Sequence, residues 1–380
     1  MKALPDDDAV PRQASSSGQG TGSSTGQEAA REPGRGGTPV DGTGRSAAPA
    51  PGHPATIYDV ARRAGVGIAT VSRALRGSAP VAESTRTKVL RVVEELGYRP
   101  SYLGTSLAQQ RHAANGIVFP DLSGPYYAEV VLGHEEAASR LGRSVLIQST
   151  NGRPDPDAAA RDLAGRVDGL VLLGRTVGDE MVGEIVTSGL PVVLLARPAI
   201  DGADSLRVDN STAACALGAH LSGHGFATAR FLGSPHASHD VAERWAGVLQ
   251  GFAGSGTRLD LTPCDLDEES GARVARAVLA GPRRPDLLVC ANDEIALGAI
   301  VAAEEAGLRV GVDVAITGWD DIMAARHARP ALTTVRQPMR LLGSNAAEVL
   351  DERISRTRTA PRHIVLTADL VIRSSCGSHP

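Results

Sequence analysis

The pattern of apolar and polar positions changes character twice along this chain. Residues 1–54 show no period: Gly, Ser, Thr, Pro and Ala dominate, and no Phe, Trp or Tyr appears. Such a stretch cannot bury enough apolar surface to offset its ordering, so it reads as a disordered tail. A helical period then starts. Ile57, Val60, Ala61 and Ala64 recur at i, i+3, i+4 and i+7, with Thr56 placed to cap the helix. Gly65-Val66-Gly67 breaks it, and Val71, Ala74 and Leu75 mark the inner face of a second helix. Val89, Val92, Val93 and Leu96 mark a third, with Gly97 as its stop. Two short helices across a tight Gly-containing turn are the requirement of a helix-turn-helix.

Beyond Asn115 the pattern becomes short apolar runs: GIVF, SVLIQS, DGLVLLG, PVVLLA, ARFLG, DLLVCAND and VAITGWD. These read as buried parallel strands. Helix-like stretches at 127–141, 213–221, 293–306 and 340–354 lie between them. Alternating strands and helices predict doubly wound α/β layers, and a body this long predicts two lobes. The expected division is a tail at 1–54, an all-α head at 55–99, a linker at 100–112, an α/β body at 113–373 and a tail at 374–380.

Charge sharpens this division. The whole chain carries a net −4, yet residues 55–112 carry nine basic and four acidic side chains, a net +5. A basic head on an acidic body is the asymmetry of a nucleic-acid binder with a second, unrelated function. Only Lys2 and Lys88 are lysines, so the preference for Arg is chain-wide and no single Arg stands out by type. No apolar run reaches the length of a membrane span, and the first residues lack the apolar core of a secretory signal. Cys215, Cys264, Cys290 and Cys376 are too far apart for a CxxC site, which fits a reduced cytoplasmic protein.

In a helix-turn-helix the second helix enters the major groove with its N-terminal side chains at base edges. Those side chains are Ile68, Ala69 and Arg73, with Thr70 and Ser72 beside the backbone. From spacing alone, a three-helix bundle with no DNA role is the alternative. The specific residues decide between them: Thr56-Ile57, Asp59-Val60-Ala61, Ala64-Gly65-Val66, Thr70-Val71-Ser72-Arg73 and Arg99-Pro100-Ser101. This run resembles the head of the lactose-repressor (LacI/GalR) family of transcription regulators. The resemblance implies a DNA-facing set of Thr56, Ile68, Ala69, Thr70, Ser72, Arg73, Arg76, Tyr98 and Leu107. Gly67 stands where the family has a capping Ser, and Arg76 where Asn is usual. A weaker cap and one extra phosphate contact follow. Residues 99–110 match the family's hinge helix, which forms when two subunits dock on an operator. Leu107 then wedges into the minor groove. Gly104 departs from the family's Ala, and a passive tether with Leu107 packed on the body is the alternative.

The resemblance extends to Arg373 and implies a body like the type I periplasmic sugar-binding proteins, with an effector site between the lobes. Its expected residues are Tyr126, Tyr127, Arg244, Leu266, Asn292 and Asp320. Each has a structural alternative. One tyrosine can be a hydrophobic staple. Arg244 can be a surface helix residue, and Asp293 and Asp320 can cap the helices that follow them. Leu266 replaces an aromatic that stacks on the ligand in relatives, and Phe226 replaces a His.

No Gly-x-Ser-x-Gly, P-loop or metal-spaced His cluster appears, and His236 and His239 share a loop without helical spacing. The chain therefore reads as a regulator with no catalytic residues, no cofactor and no metal. Its expected partners are a palindromic double-stranded operator, a second copy of itself and a small polar effector. A sugar is the expected effector, with a nucleoside or purine as the alternative. Repression is the expected sign, with activation as the alternative. No membrane partner is expected, and the expected location is the cytoplasm, on the nucleoid.

Overall fold

The computed structural model describes residues 55–76, 80–99 and 112–377. The expected tail at 1–54, the linker at 100–111 and Leu107 lie outside the described residues. The chain divides into two compact units at the Arg99–Pro100 bond.

The first unit is a three-helix head: α1 (Ile57–Ala64), α2 (Ile68–Arg76) and α3 (Glu83–Glu95). Thr56 and Asp59 form a reciprocal capping box. Asp59 Oδ2 accepts from the Thr56 backbone N–H at 3.0 Å and from its hydroxyl at 2.6 Å, and Thr56 Oγ1 accepts from Asp59 N–H at 3.4 Å. These bonds hold the Asp59 carboxyl below its ordinary pKa. Gly65 ends α1 in the left-handed region at φ 63°, which turns the chain into α2. Val60, Ala61, Ala64, Val71, Ala74, Val89 and Val92 form the head's core, as their spacing predicts, with Ile57, Leu75, Val93 and Leu96 packed around them.

The second unit is a two-lobed α/β body. Its elements follow in order: β1 (Ala114–Phe119), α4 (Pro125–Arg140), β2 (Ser144–Ser149), α5 (Pro156–Ala164), β3 (Gly169–Leu173), α6 (Asp179–Thr187), β4 (Val192–Leu195) and β5 (Asp204–Val208). Then come α7 (Asn210–Ser222), β6 (Thr228–Leu232), α8 (His239–Gly251), β7 (Arg258–Thr262), α9 (Glu268–Leu279), β8 (Leu287–Cys290), α10 (Asp293–Glu305), β9 (Ala315–Thr317) and α11 (Met323–His327). The last are β10 (Thr334–Arg336), α12 (Met339–Ile354), β11 (His363–Leu366), β12 (Asp369–Val371) and a 3₁₀ turn, Ser374–Cys376.

Lobe 1 is a six-stranded parallel sheet, ordered β11-β5-β4-β3-β1-β2. Lobe 2 is a four-stranded parallel sheet, β7-β6-β8-β9, with an antiparallel pair, β10-β12, beside it. The central strands β1, β3, β4 and β8 are buried along their whole length, as continuous apolar runs require. SVLIQS departs from its reading as a buried strand. As β2 it lies at the sheet edge, and Ile147 is 45% exposed.

The chain passes between the lobes after β5, after β10 and again after β11. Helix α12 therefore packs on the lobe 1 sheet although it follows a lobe 2 strand. Glycines set how closely it can approach. A Cβ at Gly343 would fall on the carbonyl oxygen of Val130, and one at Gly133 on that of Arg340, so α4 and α12 meet backbone to backbone. The expected tail at 374–380 needs correction at its start. Ser375 and Cys376 are fully buried in lobe 2, Ser375 Oγ donates to Ile316 O at 2.5 Å, and Thr333 N–H donates to Ser375 Oγ at 2.8 Å. No helix among the described residues is long and apolar enough to cross a membrane.

Candidate functional site

In the head, Ile68, Ala69 and Arg73 are solvent-exposed on one side of α2, while Val71 and Ala74 hold the opposite side in the core. Thr70 and Ser72 are half-buried at its flanks, and Arg76 is its last residue. Arg73 Nε donates to Ala69 O at 3.2 Å, so its guanidinium is folded along its own helix. Gly67 carries the α2 start through its carbonyl alone, which accepts from Thr70 N–H at 2.9 Å and Val71 N–H at 3.1 Å. Tyr98 differs from the expectation. It is 9% exposed and packs into the head's core, closing α3 onto α1 and α2 rather than facing outward.

In the body, a cleft of about 370 Å³ opens between the lobes. The carboxyl ends of β1, β3, β4, β6, β8 and β9 converge on it, delivering Pro120, Leu173-Gly174-Arg175, Ala196, Ser234, Asn292 and Asp320. Ligands of doubly wound sheets bind at these ends. A larger hollow, about 920 Å³, lies at the amino ends of β1, β3 and β4 and is lined by helix termini. It lacks that convergence of strand ends, so the interlobe cleft is the candidate site.

All six expected body residues line this cleft. Tyr126 and Tyr127 open α4 and meet edge to face at 5.4 Å, and Tyr127 rests on Phe119 at 5.6 Å. Tyr127 thus anchors the helix while Tyr126 forms the wall. Burial raises both hydroxyls above the usual tyrosine range, and the carboxylates facing them add to this, so both stay protonated donors.

Arg244 is 5% exposed rather than on the surface. Its guanidinium lies 4.7 Å over the Trp319 ring, Nε donates to Asn210 Oδ1 at 3.0 Å, and Nη1 donates to Ala291 O at 2.8 Å. Nη2 stands 3.9 Å from Asp240, leaving it the loosest end of the fork.

Asn292 does not offer a free amide. Its Oδ1 accepts from Ile295 N–H at 2.9 Å as the cap of α10, and Nδ2 donates to Leu266 O at 3.0 Å. It is a positioning residue that holds Leu266, 39% exposed, at the rim. Asp293 therefore does not cap. It is buried, and accepts from Ile322 N–H at 2.9 Å and Thr334 Oγ1 at 2.6 Å. Asp320 does not cap either, because Ile322 precedes α11. Its Oδ1 accepts from Gln337 Nε2 at 2.5 Å, and its backbone sits at φ 119°, a conformation the surrounding structure must impose. Gln337 lies on the crossing from β10 to α12, so Asp320 is tied directly to the interlobe connection. Burial pushes the Asp320 carboxyl to about 6, against the lowering effect of Arg244 and Gln337.

Three acidic residues missed in the sequence complete the cleft: Asp240, Asp265 and Glu294. Burial raises Asp240, and burial together with the neighbouring carboxylates carries Glu294 to about 7. The spacing of Asp240 four residues before Arg244 was their only sequence signal. The arrangement is a wall of carboxyl groups with two guanidinium groups, Arg175 and Arg244, and two phenolic donors. No strand-end serine paired with a base, the arrangement of a hydrolytic centre, is formed by these residues.

An exposed recognition helix on a three-helix head, carried with a two-lobed ligand-binding body, defines a DNA-binding regulator rather than an enzyme. Residues 56–101 match the family described as bacterial regulatory proteins, lacI family, and residues 219–376 match the periplasmic binding protein-like domain. Catabolite control protein A of Priestia megaterium is 32% identical over 302 residues, covering 78% of this chain and 91% of its own. The HTH-type transcriptional repressor PurR of Erwinia tasmaniensis is 30% identical, covering 86% and 98%. Among solved structures, the lac repressor dimer bound to operator and the anti-inducer ONPF superposes with a TM-score of 0.75 at 26% identity, over 86% of this chain and all of that one. The transcriptional regulator CelR in complex with cellobiose superposes with a TM-score of 0.64 at 29% identity, over 84% and 99%. The chain belongs to the lacI family of bacterial regulatory proteins.

Proposed function

We propose that this protein is a homodimeric, cytoplasmic transcriptional repressor released or engaged by a small polyhydroxylated effector, a sugar, bound in the interlobe cleft. The observation that carries the effector class is the lining. Asp240, Asp265, Glu294 and Asp320 supply acceptors for hydroxyl protons, and Arg244 and the tyrosines supply donors. A purine ring gains affinity from stacking on aromatic faces. Lobe 2 offers Leu266 at that wall, and its Trp319 is covered by Arg244. The cellobiose-bound relative supports the sugar reading, and the relatives named PurR carry the purine alternative.

The head recognises a palindromic operator through Ile68, Ala69 and Arg73 at base edges, with Thr70, Ser72 and Arg76 positioning the helix on phosphates. Residues 100–112 form a hinge on the operator, with Leu107 as the minor-groove wedge. An effector bridging the lobes favours one lobe angle. It acts through its different affinity for the two arrangements, and the tie between Asp320 and Gln337 puts that difference at a crossing strand.

Calorimetry against a panel of mono- and disaccharides and nucleosides tests the reading. One sugar is expected to bind the wild type, and Arg244→Ala and Asp320→Ala each to lose that binding while keeping effector-free operator affinity. Unchanged sugar affinity in both variants, or binding of nucleosides alone, overturns it.

A further inference from the structure

Away from the cleft, on the far side of lobe 2, three metal-ligating side chains come together: His220, His224 and Cys376. Their ligand atoms all lie within 4.8 Å of one another. We propose that they form a transition-metal site, selective for Zn²⁺ over hard cations, that ties the C-terminal turn to the end of α7.

The geometry of the nearest pair carries the argument. His220 Nε2 and Cys376 Sγ are 3.6 Å apart, although their residues lie 156 positions apart in the chain. Tetrahedral zinc, with Zn–N near 2.0 Å and Zn–S near 2.3 Å, sets an N-to-S edge of about 3.5 Å. His220 lies in the last turn of α7 and His224 in the turn that follows it, and their rings meet edge to face with centroids 5.0 Å apart. His224 is in turn stacked on Phe226, with centroids 5.4 Å apart and planes 4° from parallel.

The third ligand is carried on a fixed support. Cys376 is fully buried, and the residue before it is held by Thr333 and Ile316 through Ser375. Thr333 Oγ1 stands 3.1 Å from the Cys376 sulfur and donates its own proton to Arg373 O at 2.9 Å, which fixes the hydroxyl beside the sulfur. Both histidines are half-buried, and His224 Nε2 is itself covered. Imidazole and thiolate together select zinc or copper over magnesium and calcium. Binding displaces the thiol proton of Cys376, so one proton leaves the protein for each ion bound. The competing arrangement is a hydrogen bond between Cys376 and His220 with no ion between them.

The test uses the full chain, stripped with a chelator and titrated with Co²⁺, then Zn²⁺. The expected result is one Co²⁺ per chain, with a thiolate-to-cobalt charge-transfer band that Zn²⁺ abolishes. Zn²⁺ is also expected to raise the melting temperature of the stripped protein. Cys376→Ser should remove the band, and His224→Gln and His220→Gln should each weaken binding at least about tenfold. His236→Gln and Cys215→Ser should bind as the wild type does. Because Cys376 is buried, His224→Gln provides an independent reading at a half-buried position. Absence of the charge-transfer band, its persistence in Cys376→Ser, or wild-type affinity in both histidine variants overturns the proposal and leaves the hydrogen-bonded arrangement.

Discussion

Replacing Asp320 by Asn separates what this residue costs the fold from what it gives the site. Asp320 is 4% exposed, and its carboxyl titrates near 6 in the folded protein, against 3.8 for an unperturbed Asp. Burial of the charge dominates, and Arg244 and Gln337 recover only part of it. Well below 3.8 the carboxyl is protonated in both folded and unfolded chains and costs nothing. As the pH rises from 4 to 6 the unfolded chain gives up its proton first, so stability falls across that window and stays lowered above it. At about 1.4 kcal/mol per pH unit, the cost of ionising Asp320 in the folded state reaches about 3 kcal/mol at neutral pH. Asn keeps the acceptor for Gln337 and tolerates the positive φ, but carries no charge. Asp320→Asn is therefore expected to match the wild type well below pH 3.8 and exceed it by about 3 kcal/mol at pH 7.5. Urea denaturation followed by tryptophan fluorescence measures this directly, since Trp245 and Trp319 both belong to lobe 2. A difference that does not grow with pH, or a variant less stable than wild type at pH 7.5, refutes the reasoning. A protein that keeps such a residue is trading stability for a site.

Three further outcomes follow from the same structure. Arg73→Ala should cost about 1–3 kcal/mol on the operator and relax the preference at one base pair, read by binding to single-base operator variants; an equal loss on random DNA would make Arg73 a phosphate contact only. Gly343→Ala should destabilise lobe 1 by about 1–3 kcal/mol, because its Cβ meets the Val130 carbonyl and stands 2.9 Å from the His134 nitrogen; thermal melting is the measurement, and a neutral result would mean that α4 and α12 separate freely. Asn292→Ala should cost about 1–2 kcal/mol by removing both the α10 cap and the bond to Leu266, while Asn292→Asp should restore the cap alone, and denaturation midpoints rank the three.

The head was legible residue by residue. Its three helices are amphipathic, so the period of Val60, Ala61, Ala64, Val71 and Val89 states which face is buried before any partner is known. Tyr98 was the exception, since an aromatic after a helix stop packs inward or faces outward according to neighbours the period does not name. In the body, the buried central strands were plain as apolar runs, but β5, β7, β10, β11 and β12 were not. They lie at sheet edges, join crossings or are only three residues long, and their sequences are too polar or too short to carry a period.

The sequence by itself determined the class of each segment and the residue types at strand ends, because backbone period and local capping are short-range. It could not choose between capping and ligand roles for Asp320, since the same carboxylate suits both, and it allowed Asp293 as a cap and gave Asn292 as a ligand. The tertiary structure gave the cap to Asn292, bound Asp293 to Ile322 and Thr334, and turned Asp320 into the cleft beside Gln337. It also brought Cys376 to His220 across 156 residues and added Asp240 and Glu294 to the cleft. Those pairings depend on three passages of the chain between two lobes, and no local pattern encodes where a chain that leaves a sheet will return.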